Sequence, residues 1–111
     1  MESVVETPKI FDFDLNDKIP EKYRENIKKA YYLLKNEGCE TVYLFGSMVT
    51  GKIHDHSDID IGIKGIQKGK FLDAYGKLFW NLSVEFDLVD FDFDHQFFSL
   101  LESLGEVVEI G

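Results

Sequence analysis

The sequence predicts a two-layer α/β domain, classed as α+β in some schemes, with a mixed β-sheet and helices packed on one face. Two observations support this fold class. Segments with helical and strand-like patterns follow one another in the order helix, strand, short helix, strand, helix, strand, helix. The chain has 111 residues, which suits one domain with one modest hydrophobic core.

The N-terminal third predicts an arm followed by a helix. Residues 1–19 are acidic and irregular, and we expect a partly disordered arm or an edge strand, with the domain proper formed by residues 20–111. Asp12 and Asp14 alternate with phenylalanines but follow no Gly-Ser turn, so we do not assign them to a site. Pro20 suits the first position of a helix, and Gly38 suits its end. The apolar stripe of this helix is Tyr23, Ile27, Ala30, Tyr31 and Leu34.

Two strands separated by a Gly-Ser turn and a polar loop come next. Thr41 to Phe45 is an apolar run of strand-forming residues, and Gly46 interrupts it. From Asp58 to Ile63, acidic and apolar residues alternate, so the isoleucines share one face of a strand. Asp58 and Asp60 then share the other face, about 6–7 Å apart. Two such carboxylates repel each other unless a cation lies between them.

This segment has the chemistry of a nucleoside triphosphate site. Asp58 and Asp60 offer the hard oxygen ligands that Mg²⁺ prefers, usually together with substrate phosphates. Gly46 allows a phosphate to approach the backbone closely. The N–H groups at the start of a following helix would bind the anion, together with the Ser47 hydroxyl. A phosphate-binding turn next to Mg²⁺ carboxylates is typical of phosphoryl and nucleotidyl transfer.

The second half predicts two helices and two strands. A helix spans residues 70–82, with an apolar set of Phe71, Leu72, Tyr75, Leu78, Phe79 and Trp80. A strand spans residues 83–91. Its alternation shifts after Leu88, which predicts a bulge or the strand end there. Asp94 caps a last helix ending at Leu104, with Phe97, Leu100, Leu101 and Leu104 facing inward. Val107, Val108 and Ile110 could form a final short strand.

Charge and composition exclude several classes of protein. The net charge is −9, with 12 basic against 21 acidic residues, so we expect no autonomous binding to nucleic acid. No segment approaches the roughly 18 apolar residues of a membrane span, and the first residues lack the basic-then-apolar order expected of a secretory signal. The single cysteine, Cys39, excludes an internal disulfide, and a reduced, cytoplasmic setting is the default.

The spacing of the motif resembles a known family. Gly46-Ser47, a ten-residue spacer and Asp58-Ile59-Asp60 resemble the signature of polymerase-β-type nucleotidyltransferases. Gly51 and Ser57 also fit this pattern. The small size points to the minimal nucleotidyltransferases of prokaryotes. The resemblance implies the two-layer nucleotidyltransferase fold.

The resemblance also implies the roles of individual residues. It implies two Mg²⁺ ions on Asp58, Asp60 and a third acid on the next strand, where Asp87 fits the expected apolar-Asp-apolar pattern and Asp90 is the alternative. ATP or another NTP would be the substrate. The nucleotide contacts would be Gly46, Ser47, Lys52 and Ser57.

The loop also departs from the family pattern. Many relatives have an arginine shortly after Gly-Ser, where this chain has Met48 and Thr50. Lys52 is the only basic residue of the loop, and it could compensate as a point charge. We interpret His54 and His56 as exposed loop residues and not as ligands of a transition metal.

Two functions follow from the resemblance. The first is a Mg²⁺-dependent nucleotidyltransferase that moves a nucleoside monophosphate, AMP by implication, from an NTP to a hydroxyl group of a partner protein. The resemblance implies a small helical HEPN-type protein as that partner, in a toxin–antitoxin pair. The alternative is a catalytically weak or inactive module of the same fold that acts by protein–protein contact. The acceptor, the preferred NTP and homodimer formation stay open.

Overall fold

The computed structural model describes residues 19–111, so the predicted arm lies outside the described residues except for the buried Ile19. Four helices and four strands are present in this range. They are α1 (Glu21–Asn36), β1 (Thr41–Phe45), α2 (Ser47–Thr50), β2 (Ile59–Lys64), α3 (Phe71–Asn81), β3 (Phe86–Asp90), α4 (His95–Leu104) and β4 (Val107–Glu109). Their order along the chain is the predicted one, with the final short strand included.

The four strands form one mixed sheet in the order β3-β2-β1-β4. β1 is antiparallel to both β2 and β4, whereas β2 and β3 are parallel. The predicted mixed sheet is therefore confirmed. The parallel register places Asp60 beside Asp87, which positions two predicted site residues on neighbouring strands.

One face of the sheet forms the main hydrophobic core. α1 and α3 contact each other, and side chains of both helices pack in the core on this face. The sheet contributes Val42, Leu44, Ile59, Ile61, Ile63 and Leu88. The predicted stripe of α1 is buried in full, and Cys39 packs with it just beyond the helix. The alternation of apolar residues thus predicts this layer correctly, because alternate side chains of a strand share one face, and this face meets α1 and α3.

A second, smaller cluster lies on the opposite face of the sheet. It contains Phe45 and Phe91 from the sheet side and Phe98 and Leu101 from α4. Phe91 lies over β2, where a Cβ added at Gly62 would overlap its ring. α4 therefore adds a partial third layer to the predicted two-layer arrangement. The shift of apolar phase after Leu88 is explained by this cluster, because the β2–β3 register is regular through Asp90 without a bulge.

The exposed faces of the last two long helices differ from the sequence prediction. In α4, Leu100 and Leu104 are 53% and 57% exposed, so the prediction that they face inward is wrong, and Phe98 is buried instead. In α3, only Ala74 and Leu78 are buried, so Leu78 is the one fully buried member of the predicted apolar set, and Phe71 packs partly buried against the core. Asp94 caps α4 as predicted, since its Oδ1 accepts a hydrogen bond from Phe97 N at 3.3 Å. Among residues 19–111, no helix has the length and apolar character needed to cross a membrane.

Candidate nucleotide and metal site

Two of the three predicted acids lie side by side. The register pairs Asp60 of β2 with Asp87 of β3, and both side chains project from the face opposite Ile59 and Ile61. The two carboxyl groups form a hydrogen bond with each other. Asp60 is partly buried and Asp87 is exposed, so the pair opens to solvent at the β3 edge of the sheet.

The surroundings of Asp60 disfavour its charged form and raise its pKa. Burial is the largest cause, followed by the charge of Asp87, the hydrogen bond to Asp87 and the charge of Asp58. Together they raise the pKa of Asp60 from 3.8 to about 6. Carboxylates that destabilise one another's charge in this way would be stabilised by a bound cation.

The third acid of the site is Asp58, which precedes β2. It acts on Asp60 through its charge, and it lines a surface cleft together with Asp87. Asp90 lies at the far end of β3, opposite Ile63, and its Oδ1 accepts hydrogen bonds from Asp92 N at 3.0 Å and Phe93 N at 3.4 Å. The structure therefore groups Asp87, and not Asp90, with Asp58 and Asp60.

The Gly46 turn lies directly against this carboxylate group. Gly46 is the N-cap of α2, with φ 73° and ψ −146°, and a Cβ there would overlap the Asp60 carboxylate. Only glycine adopts this backbone conformation readily. Ser47 is the first residue of α2 and not its cap. The first N–H groups of a helix have no intrahelical partner, so Ser47 and Met48 offer donors beside Asp60.

The loop between α2 and β2 contains the other predicted nucleotide contacts. The hydroxyl of the buried Ser57 accepts a hydrogen bond from His54 N at 2.8 Å, so it closes the loop in the structure. His54 Nδ1 accepts from His56 N at 3.3 Å, and both imidazoles are exposed. Lys52 is exposed at the start of the loop. Met48, one of the two residues that stand where the resemblance implies an arginine, is 3% exposed and belongs to the core.

These residues fit a metal site that the substrate completes. Within residues 19–111, no three His, Cys, Asp or Glu side chains are arranged to hold a metal ion by themselves. Mg²⁺ normally takes only one or two carboxylates and completes its octahedron with water and substrate phosphates. The hydrogen-bonded pair of Asp60 and Asp87, next to the Gly46 turn, offers that incomplete set of ligands.

A cleft of about 460 Å³ borders the carboxylates on the β3 side. Its acidic rim is formed by Asp58, Glu85 and Asp87, and its apolar wall includes Tyr75, Phe79 and Phe86. Neither the cleft nor the aromatic wall was expected from the sequence, where these aromatic residues had the pattern of ordinary core positions.

The wall of this cleft is tied to α1 by a residue that the sequence reasoning missed. Asn26 is 5% exposed; its Oδ1 accepts a hydrogen bond from Ser83 N at 2.7 Å, and its Nδ2 donates to Ser83 Oγ at 3.0 Å. The sequence feature that could have identified Asn26 is its position as a polar residue within the apolar stripe, between Tyr23 and Ile27. A buried amide of this kind indicates a specific hydrogen-bonded partner.

Two solved structures resemble part of the chain. One is a mutant form of the toxin–antitoxin MntA-HpeT, with 29% identity, 57% of this chain covered and a TM-score of 0.46. The other is a toxin–antitoxin solved with AMP-PNP, with 29% identity, 66% of this chain covered and a TM-score of 0.48. The matches span 55% and 59% of the length of those two chains. Among curated proteins, none matches this chain.

The family is shown by a broader match. Residues 21–104 match the family model described as polymerase beta, nucleotidyltransferase. This range includes all four helices, the first three strands, the Gly46-Ser47 turn and the three acids of the site. The chain therefore belongs to the polymerase-β nucleotidyltransferase family.

Proposed function

We propose that this protein is a Mg²⁺-dependent nucleotidyltransferase that transfers a nucleoside monophosphate, AMP, from ATP to a hydroxyl group of a partner protein. The observation that supports this function best is the adjacency of Asp60 and Asp87 at the Gly46 turn. The turn can bind phosphate, and the neighbouring carboxylates favour a bound cation. Both lie within one small site, as transfer from Mg²⁺-ATP requires.

In this proposal, the N–H groups of Ser47 and Met48 bind the triphosphate, and Asp58, Asp60 and Asp87 hold Mg²⁺. Bound Mg²⁺ would neutralise the charge that develops on the phosphate oxygens. The acceptor oxygen forms a bond to the α-phosphorus while the bond from that phosphorus to the bridging oxygen breaks, and pyrophosphate leaves. The hydroxyl proton passes to Asp87, which faces solvent, and from there to water.

The partner proposed here is a HEPN-type helical protein, with this chain as the antitoxin of a cytoplasmic toxin–antitoxin pair. This proposal rests on the resemblance to minimal nucleotidyltransferases. It is supported by a net charge of −9, which favours a basic protein over nucleic acid as the acceptor. Mass spectrometry of the partner after co-expression would show the added AMP directly.

Calorimetric titration with Mg²⁺-ATP tests the site itself. We expect the wild type to bind, and Asp60→Asn and Asp87→Asn each to abolish binding while the far-ultraviolet circular dichroism stays unchanged. Asp73→Asn is the matched control, since it removes one exposed carboxylate of α3 away from the site. Unchanged affinity in Asp60→Asn would contradict the assignment of this residue.

One observation favours the second candidate function, a non-catalytic binding module. Met48 is buried in the core, and residues 46–51 contain no basic side chain to bind the triphosphate. A partner that stays unmodified in a stable, inhibited complex with Mg²⁺-ATP present would support this module over the transferase.

A further inference from the structure

The outer face of α3 exposes four large apolar side chains. Leu72, Phe79 and Trp80 are 78%, 61% and 83% exposed, and Tyr75 is 40% exposed. Phe79 and Trp80 pack edge to face, with ring centroids 5.7 Å apart. Soluble proteins seldom leave a contiguous apolar surface of this kind without a partner.

This apolar face continues into the cleft beside the carboxylates. The Tyr75 ring lies 5.1 Å from the Phe86 ring, and both residues line the cleft together with Phe79. Asp58, Glu85 and Asp87 also line this cleft. A ligand seated on α3 would therefore reach Asp87, one of the two hydrogen-bonded carboxyl groups, without leaving the cleft.

The sheet order determines which side of the site this cleft occupies. The Gly46 turn follows β1, whereas the cleft lies along β3, so β2 and its carboxylates separate the two. In nucleotidyl transfer, the attacking and leaving oxygens lie roughly in line on opposite sides of the phosphorus. A triphosphate bound at Gly46 places its leaving group toward β1 and leaves the β3 side for the attacking hydroxyl.

We propose that this cleft and the exposed face of α3 form the acceptor site, and that the acceptor is a basic polypeptide segment. An apolar or aromatic side chain of the segment packs on Tyr75, Phe79 and Phe86. A lysine or arginine beside it pairs with Asp58 and Glu85. The proposal rests on the proposed function and adds the place and the chemistry of the acceptor.

The charge of the surface favours a basic polypeptide segment as the bound partner. The rim of the cleft is acidic, so the phosphates of a nucleic acid would be repelled. A second copy of this chain would bring the same acidic rim and the same net charge of −9 to the contact. A segment with apolar and basic residues complements both the aromatic wall and the carboxylates.

Trp80 makes the test direct, since it is the single tryptophan of the chain and its emission reports on α3. The probe is a tryptophan-free amphipathic peptide with leucines and one tyrosine on one face and lysines on the other. We expect a saturable blue shift that weakens with salt. Phe79→Gln should weaken binding by about 10-fold or more, the effect of losing a buried aromatic contact.

The matched control is Phe93→Gln, because Phe93 is 88% exposed but lies between β3 and α4, outside the cleft. It should leave the peptide affinity unchanged. A version of the peptide with glutamate in place of lysine should not bind. The proposal is overturned by the absence of saturation up to about 1 mM peptide, by equal losses in both variants, or by equal binding of the acidic peptide.

Two results would assign the surface to another occupant and overturn the proposal. If Phe79→Gln weakens Mg²⁺-ATP binding, the cleft holds the nucleobase. If the protein alone self-associates in sedimentation experiments and Phe79→Gln abolishes this, the face binds a second copy. The peptide titration needs no nucleotide. Peptide binding without any Mg²⁺-ATP binding by the wild type would therefore overturn the proposed function while supporting the docking of a basic polypeptide.

Discussion

The backbone of Gly46 approaches the Asp60 carboxylate so closely that a Cβ on Gly46 would overlap Oδ2 of Asp60. The same glycine has φ 73° and begins α2, which offers free N–H groups. One small residue therefore brings the anion-binding turn and the acidic strand together. Any side chain at position 46 would separate the two halves of the site.

Gly46→Ala should therefore disturb both stability and binding. The strained φ and the overlap with Asp60 should lower the free energy of unfolding by about 1–3 kcal/mol. Mg²⁺-ATP binding should be lost, because Asp60 must move away from the turn. Urea unfolding and calorimetric titration measure the two effects separately.

Gly51→Ala is the matched control for this substitution. Gly51 ends the same short helix with φ 83°, but a Cβ there would meet nothing within 4 Å. Its cost should be about 1 kcal/mol, from the left-handed conformation alone, with ATP binding retained. Equal ATP affinities in the two variants would show that the approach of Gly46 to Asp60 has no part in binding.

The raised pKa of Asp60 predicts a specific pH dependence of stability. Between pH 3.8 and about 6, the folded protein holds a proton on Asp60 that the unfolded chain releases. The contribution of Asp60 to the free energy of unfolding is therefore fully present below this window and is lost as the pH rises through it. In metal-free buffer near neutral pH, Asp60→Asn should raise the melting temperature.

The comparison needs a charge-matched control, because other carboxylates also titrate in this range. Asp73→Asn removes one exposed carboxylate on α3 and should leave the pH profile close to that of the wild type. The difference between wild type and Asp60→Asn should grow from acid to neutral pH. A constant difference across that range would exclude a raised pKa for Asp60.

Alanine substitutions at two glycines should change the free energy of unfolding in opposite directions. Gly62→Ala should lower the free energy of unfolding by about 1–3 kcal/mol, because the new Cβ would overlap the fully buried Phe91 ring. Gly76→Ala, in the middle of α3 with no neighbour within 4 Å of the new Cβ, should raise it by about 0.5–1 kcal/mol. Chemical denaturation of both variants checks the signs.

Local patterns in the sequence predict most of the fold and the composition of the site. The stripe of α1, the alternation in β2 and the cap of α4 each depend on neighbours within a few residues, so periodicity is enough to find them. Asp87 was expected as the third acid because of the family resemblance, which implies an apolar-Asp-apolar pattern on the next strand. The parallel register confirms that the two residues are adjacent.

Contacts between segments that are distant in the sequence cannot be predicted from such local patterns. The sequence shows an apolar set on α3, but it does not show that the helix packs through Ala74 and Leu78 and leaves Leu72 and Trp80 exposed on its outer face. The shift of phase in β3 has the local pattern of a bulge, whereas its cause is a second cluster around Phe91 on the other face. Tertiary packing determines which apolar residues are buried.

The two hydrogen bonds between Asn26 and Ser83 hold the wall of the cleft against α1. Asn26→Ala leaves the backbone N–H of Ser83 without its acceptor and removes the link between α1 and the wall of the cleft. The free energy of unfolding should fall by about 1–3 kcal/mol. Asn81→Ala is the control, because Asn81 is exposed and its side-chain Nδ2 donates a hydrogen bond within α3, to Lys77 O at 2.7 Å. Hydrogen exchange should show faster exchange at Ser83 and Val84 in Asn26→Ala alone, since an amide without its partner exchanges from a more open segment. Unchanged exchange at these two residues would mean that the bond does not hold the cleft wall in place.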